Sequence, residues 1–108
     1  ATYVDDEMFV YIYKNHFFTT WSGLEVYDLT KANRVYHYQV THKKYGVTTN
    51  IDSFLIFLSD DKSYRGKKTK ISIHNIGEET DDFLQPFFQT VAQEFPNVAV
   101  GYENNRPF

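Results

Sequence analysis

Five of the chain's eleven basic residues, Lys62, Arg65, Lys67, Lys68 and Lys70, crowd around the segment YRGKKTK. Cations this close repel one another unless water or an anion intervenes. At a bend loosened by Gly66 they could hold a phosphate-rich group, a nucleic-acid backbone or an acidic protein patch, with Arg65 and freed backbone N–H groups as directional donors. The same residues also suit a solvated hairpin tip whose lysines discourage edge-to-edge aggregation. Lys43 and Lys44 form a second, smaller basic turn. Tyr36, Tyr38 and Trp21 have polar tips suited to half-wet positions, which makes them candidates for a ligand or partner surface.

Histidines His16, His37, His42 and His74 raise the possibility of acid–base chemistry. Two of them with a nearby cation could cleave a phosphodiester, with Lys or Arg holding the developing charge. No spacing joins any pair, so only the fold could bring them together. His37 and His42 lack zinc-ligand spacing, and the acidic runs DDE (5–7) and EETDD (78–82) lack the alternation of a calcium loop. Nucleophile-elbow, phosphate-loop and dinucleotide fingerprints are all missing. The expectation is no catalytic residue, no metal and no cofactor, with EETDD serving as the negatively charged start of a helix.

The elements that must position these groups are mostly short strands. MFVYIY (8–13) reads as a strand covered on both faces, followed by FFTTW (17–21) and LEVYDL (24–29). TKAN (30–33) turns the chain into RVYHYQV (34–40), with Tyr36, Tyr38 and Val40 on one face and Val35, His37 and Gln39 on the other. Residues 43–46 turn again, and SFLIFL (53–58) is the most hydrophobic run and the expected central strand. KISIHNI (70–76) points Ile71 and Ile73 inward. In 81–95, Phe83, Leu84, Phe87, Phe88, Val91 and Phe95 recur at helical spacing. Thr80 is the expected N-cap, Pro86 places the regular start of the helix near 86, and Pro96 ends it before a last strand in NVAVGY (97–102). The predicted fold is α+β: an antiparallel meander or rolled sheet of about six to seven strands with one C-terminal amphipathic helix, a roll of the pleckstrin-homology type by analogy.

The 108 residues fit a single domain spanning 1–108, with 42% hydrophobic and 23% charged residues, a globular balance. Ten Phe and nine Tyr favour strands and a large buried area per residue. With no cysteine, disulfides and thiol chemistry are excluded, which favours a cytoplasmic setting and leaves a removed signal peptide open. No apolar run is long enough to span a membrane as a helix. A net charge of −3 argues against general nucleic-acid binding, so any anion must be met locally.

KKYGV (43–47) followed by FLIFL (54–58), and the run FFQTVAQEFPNVAVGY (87–102), resemble segments of thioredoxin-like domains over about a third of the chain. The family's Cys-X-X-Cys is missing and Ile51 stands where its cis-proline is usual. The resemblance therefore implies a redox-inactive binding domain. The residues themselves favour a small non-enzymatic interaction module that binds a protein or anionic partner through the basic loop and exposed tyrosines, the small phosphodiesterase being the rival.

Overall fold

In the computed structural model, which describes residues 3–101, tight turns organise the first sheet. Strands β1 (Tyr3–Asp5), β2 (Val10–Tyr13), β3 (His16–Thr19) and β4 (Glu25–Asp28) form an antiparallel meander in that order. Lys14 (φ 47°) and Asn15 (φ 66°) are both left-handed, the twist that a two-residue hairpin needs, and Tyr13 faces His16 across it. Between β1 and β2, Asp5 Oδ1 accepts the backbone N–H groups of Glu7 and Met8 at 3.0 and 3.1 Å. The DDE run is thus a turn-former.

This sheet is covered on one side only, which corrects the expectation for MFVYIY. Val10, Ile12, Phe17 and Tyr27 are fully buried, whereas Tyr13 is 45% exposed. On the outward face Val4, Tyr11, Phe18 and Val26 form a cross-strand row, with Tyr11 and Phe18 stacked at 5.0 Å.

A 3-10 turn at Leu29–Lys31 leads into the second sheet, capped by Asp28, whose Oδ1 accepts Thr30 N at 2.9 Å and Thr30 Oγ1 at 2.6 Å. Burial alone would raise the Asp28 carboxyl, but these bonds, with His16 and Lys31 nearby, hold it below the usual range. The second sheet contains β5 (Arg34–Lys44), β6 (Val47–Leu58), β7 (Lys68–Ile73) and β8 (Ala99–Val100), in the order β7-β6-β5-β8. All pairings are antiparallel except β5 with β8. Among the described residues, eight strands in two four-stranded sheets are found where about six to seven were expected.

Strands β5 and β6 are longer than alternation predicts. Their hairpin closes on Tyr45 (φ 54°) and Gly46 (φ 78°), and β6 begins at Val47 rather than at Ser53. Every residue from 41 to 50 is exposed, so this part of the hairpin has no buried face to impose a hydrophobic period. Twelve extended residues span about 40 Å, close to the molecule's 43 Å long axis. FLIFL lies in β6, antiparallel to both neighbours.

The α-helical segments among the described residues are α1 (Lys62–Arg65), between β6 and β7, and α2 (Thr80–Glu94), which follows a 3-10 turn at Gly77–Glu79 and precedes β8. α2 buries Leu84, Phe87, Phe88 and Val91, while Phe83 is 39% exposed. Pro86 lies inside α2 and does not begin it. Proline leaves the Asp82 carbonyl without its helical donor, and both residues are exposed, where water replaces the bond. The N-cap position belongs to Glu79. Thr80 is buried, and its hydroxyl accepts Ile76 N at 2.9 Å and donates to the Gly77 carbonyl at 2.8 Å. Tyr102, at the end of NVAVGY, and the tail after it lie outside the described residues. No helix among the described residues is long and apolar enough to cross a membrane.

A single core joins both sheets to α2. Phe57 of β6 stacks on Tyr27 at 4.4 Å and meets Phe17 at 5.2 Å, and Phe17 meets Phe87 of α2 at 5.6 Å. Burial of rings this size contributes about 2–3 kcal/mol each.

Candidate functional site

Both the N-terminal sheet and α2 pack on one face of the second sheet, the face of Val35, Leu55, Phe57, Ile71 and Ile73. Strand alternation puts Tyr36, Tyr38, Phe54, Ile56, Lys68 and Lys70 on the opposite face. The register aligns them in rows: Tyr36, Ile56 and Lys70 stand across one another, as do Tyr38, Phe54 and Ser72. Around Tyr36, Tyr38, Ile56, Lys68 and Lys70 lies a cavity of about 450 Å³. Lys70 Nζ stands 4.6 Å from the centre of the Phe54 ring, an attraction that orders the side chain without neutralising it. Neither Lys68 nor Lys70 pairs with a carboxylate among the described residues.

The basic loop therefore divides in two. Lys68 and Lys70 join the tyrosines, whereas Tyr64 and Arg65 turn toward the first sheet. Asp28 N donates to the Tyr64 hydroxyl at 2.8 Å, and the Tyr64 ring meets Tyr27 edge-on at 5.2 Å. Arg65 Nη1 donates to the Val26 carbonyl at 2.5 Å, and Nη2 lies 4.0 Å from Glu25 Oε1. This clamp between α1 and β4 directs one edge of the Arg65 guanidinium to the protein's own chain, away from Lys68 and Lys70. Arg65→Gln should lower stability by about 1 kcal/mol, while Lys67→Gln, at an exposed position, should change it by less than about 0.5 kcal/mol. Thermal unfolding of the two variants tests the division, and equal midpoints would contradict it.

Two further candidates change standing. Tyr36 is only 6% exposed, so it forms the floor of the site and not an exposed contact; Tyr38, at 46%, is the exposed one. Lys43 and Lys44 lie at the far end of the β5–β6 hairpin, outside the cavity lining. The Lys62 side chain lies outside what is described. Sequence reasoning did not single out Phe54 and Ile56, because a hydrophobic run reads as core and carries no sign that alternate residues face away from it.

The histidines go to separate partners. His16 Nδ1 bonds the Lys14 carbonyl at 2.8 Å, His42 Nε2 bonds Asp52 at 2.9 Å, and His74 Nδ1 bonds the Glu7 carbonyl at 3.1 Å. His37, with its side chain 3% exposed, donates from Nδ1 to Asp81 Oδ1 at the start of α2, and its buried Nε2 has no partner among the described residues. No group of three potential metal ligands occurs among the described residues.

Comparison of the chain with protein-family models, with curated proteins and with solved structures returns no match. What defines the protein is its α+β architecture of two four-stranded sheets closed by one main helix.

Proposed function

We propose that this chain is a small non-enzymatic interaction module that binds an acidic segment of a partner protein on the outward face of its second sheet. The observation supporting this is the convergence of Lys68 and Lys70 with Tyr36, Tyr38 and Ile56 around one cavity. Such a site combines an apolar floor, an amphipathic aromatic and two unpaired cations, which suits side chains that alternate carboxylates with apolar groups. The architectural analogy is the helix-plugged rolled sheet of pleckstrin-homology-like modules, supported by the C-terminal helix closing on a core shared by both sheets. An overall charge of −3 leaves a nucleic-acid backbone, with its dense negative charge, the poorer fit.

A labelled peptide alternating glutamate with leucine is the probe, titrated by fluorescence anisotropy. Two partly exposed ion pairs contribute at most about 1 kcal/mol each, so Lys68→Gln/Lys70→Gln should weaken binding about tenfold. Added salt should weaken binding to the unmodified chain more than to the variant. Unchanged affinity in the double variant, or preference for duplex DNA over the peptide, would retire the reading.

A further inference from the structure

The flank of β5 turned away from β6 pairs with β8 only at Arg34 and Val35, and from His37 to Lys44 no strand lies beside it among the described residues. On that flank the Val35 carbonyl accepts Gly101 N at 2.9 Å. Backbone groups alternate between flanks along a strand, so His37, Gln39, Thr41 and Lys43 turn their N–H and C=O groups the same way. The register shift near the hairpin tip leaves this row intact: the extra residue is Thr49, in β6, and β5 runs through without a break. A regular edge of unspent backbone groups is a template for a further strand.

The charges along the edge decide which strand fits. At its far end stand Lys43 and Lys44, exposed and in no ion pair among the described residues. At its near end His37 bonds Asp81, and Gln39 Nε2 reaches the Gly77 carbonyl at 3.5 Å. These contacts set the acidic turn of Glu78, Glu79, Asp81 and Asp82 beside the start of the edge. No lysine or arginine occurs from Ile71 to Phe95, and Glu78, Glu79 and Asp82 are in no ion pair among the described residues. The edge is therefore acidic at one end and basic at the other. A second copy running antiparallel presents the same edge reversed, so each basic end meets an acidic one.

We propose that the chain forms a two-fold dimer by pairing β5 with β5 of a second copy, which joins the two second sheets edge to edge. The two-fold stands perpendicular to the sheet, so each residue must meet one of its own face, and the axis passes through a residue and not between two. An axis at Val40 pairs His37 with Lys43, Tyr38 with His42, Gln39 with Thr41, and Val40 with its own copy. Residues facing the flank then meet one another, over a run of about 24 Å. Lys43 of the second copy stands across from His37 on the covered face, about 5 Å away between Cβ atoms, which brings its ammonium within reach of Asp81. An axis at Thr41 would leave His37 without a strand partner and set Lys43 across from Gln39. Lys68 and Lys70 lie on β7, two strands away, so this reading and the acidic-peptide site stand or fall separately.

Sedimentation equilibrium of the full chain over a wide range of concentrations is the test, and a monomer–dimer equilibrium is the expected result. Val40→Lys and Val40→Glu each set like charges across the two-fold and should leave monomers, whereas an equal mixture of the two should dimerise, because Lys then faces Glu. Val40 is half-buried, so the unfolding midpoint of each variant is measured alongside. If either fails to fold, Lys43→Glu, at an exposed position, decides: it should weaken the dimer about tenfold or more, and added salt should weaken the unmodified dimer. Lys68→Gln/Lys70→Gln should leave the dimer unchanged. A chain that stays monomeric throughout, a Val40 variant that dimerises alone, a mixture that does not, an undiminished dimer in Lys43→Glu, or a dimer lost with Lys68 and Lys70 overturns the proposal.

Discussion

Phe57→Ala should remove about 3–5 kcal/mol of folding stability, a large share of what a domain of this size has in total. The ring is fully buried and lies where the two sheets meet, stacked on Tyr27 and tilted against Phe17. Its deletion leaves a cavity bounded by large rings, which cannot collapse into it without leaving their own neighbours. Urea unfolding checks this, with the midpoint falling and the slope unchanged. Tyr45→Ala, at a position 94% exposed, should shift stability by less than about 0.5 kcal/mol. A loss under about 1 kcal/mol at Phe57 would mean that the sheets are not joined through this ring.

The second large effect is expected at Asp81. Removing its carboxylate leaves His37 buried with neither ring nitrogen partnered, because Nε2 already lacks an acceptor or donor among the described residues. An orphaned buried polar group costs about 1–3 kcal/mol. Asp81→Ala should therefore destabilise by that amount, and Asp82→Ala, which removes an equal charge from the same helical turn at an exposed position, by only a few tenths of a kcal/mol. Adding His37→Leu to Asp81→Ala should recover most of the loss, since no polar group then remains stranded. A double-mutant cycle measures the coupling. Additive losses would show that the pair is not a unit.

Much of the fold could be read from residue spacing where one face of an element is buried. KISIHNI shows Ile71 and Ile73 inward as expected, and the stripe Leu84, Phe87, Phe88, Val91 packs as helical spacing requires. What escaped has a physical cause in each instance. Residues 47–50 carry no alternation because both faces of that part of the hairpin are wet, so only pairing with β5 makes them a strand. Pro86 reads as a helix start, yet it is tolerated inside α2 because the carbonyl it orphans faces water. The division into two sheets depends on long-range packing through Phe17 and Phe57, which local spacing does not encode. Of the candidate site, the lysines and tyrosines were named individually, but their grouping required the register. Arg65 looked like its neighbours in charge and differs only in what it reaches, the Val26 carbonyl. Trp21 stood out as a lone half-polar ring, and it is 45% exposed in the fold.

The parallel seat of β8 has a consequence for how the molecule is made. Val35 pairs with Val100, and the Val35 carbonyl accepts Gly101 N at 2.9 Å, so the start of β5, at Arg34 and Val35, stays unpaired on that flank until some sixty-five residues more have left the ribosome. The hairpin of β5 and β6 can zip early, but its open flank offers unsatisfied amides to any neighbouring nascent chain. A chaperone that shields extended edges would therefore raise the yield more than one that binds loose helices.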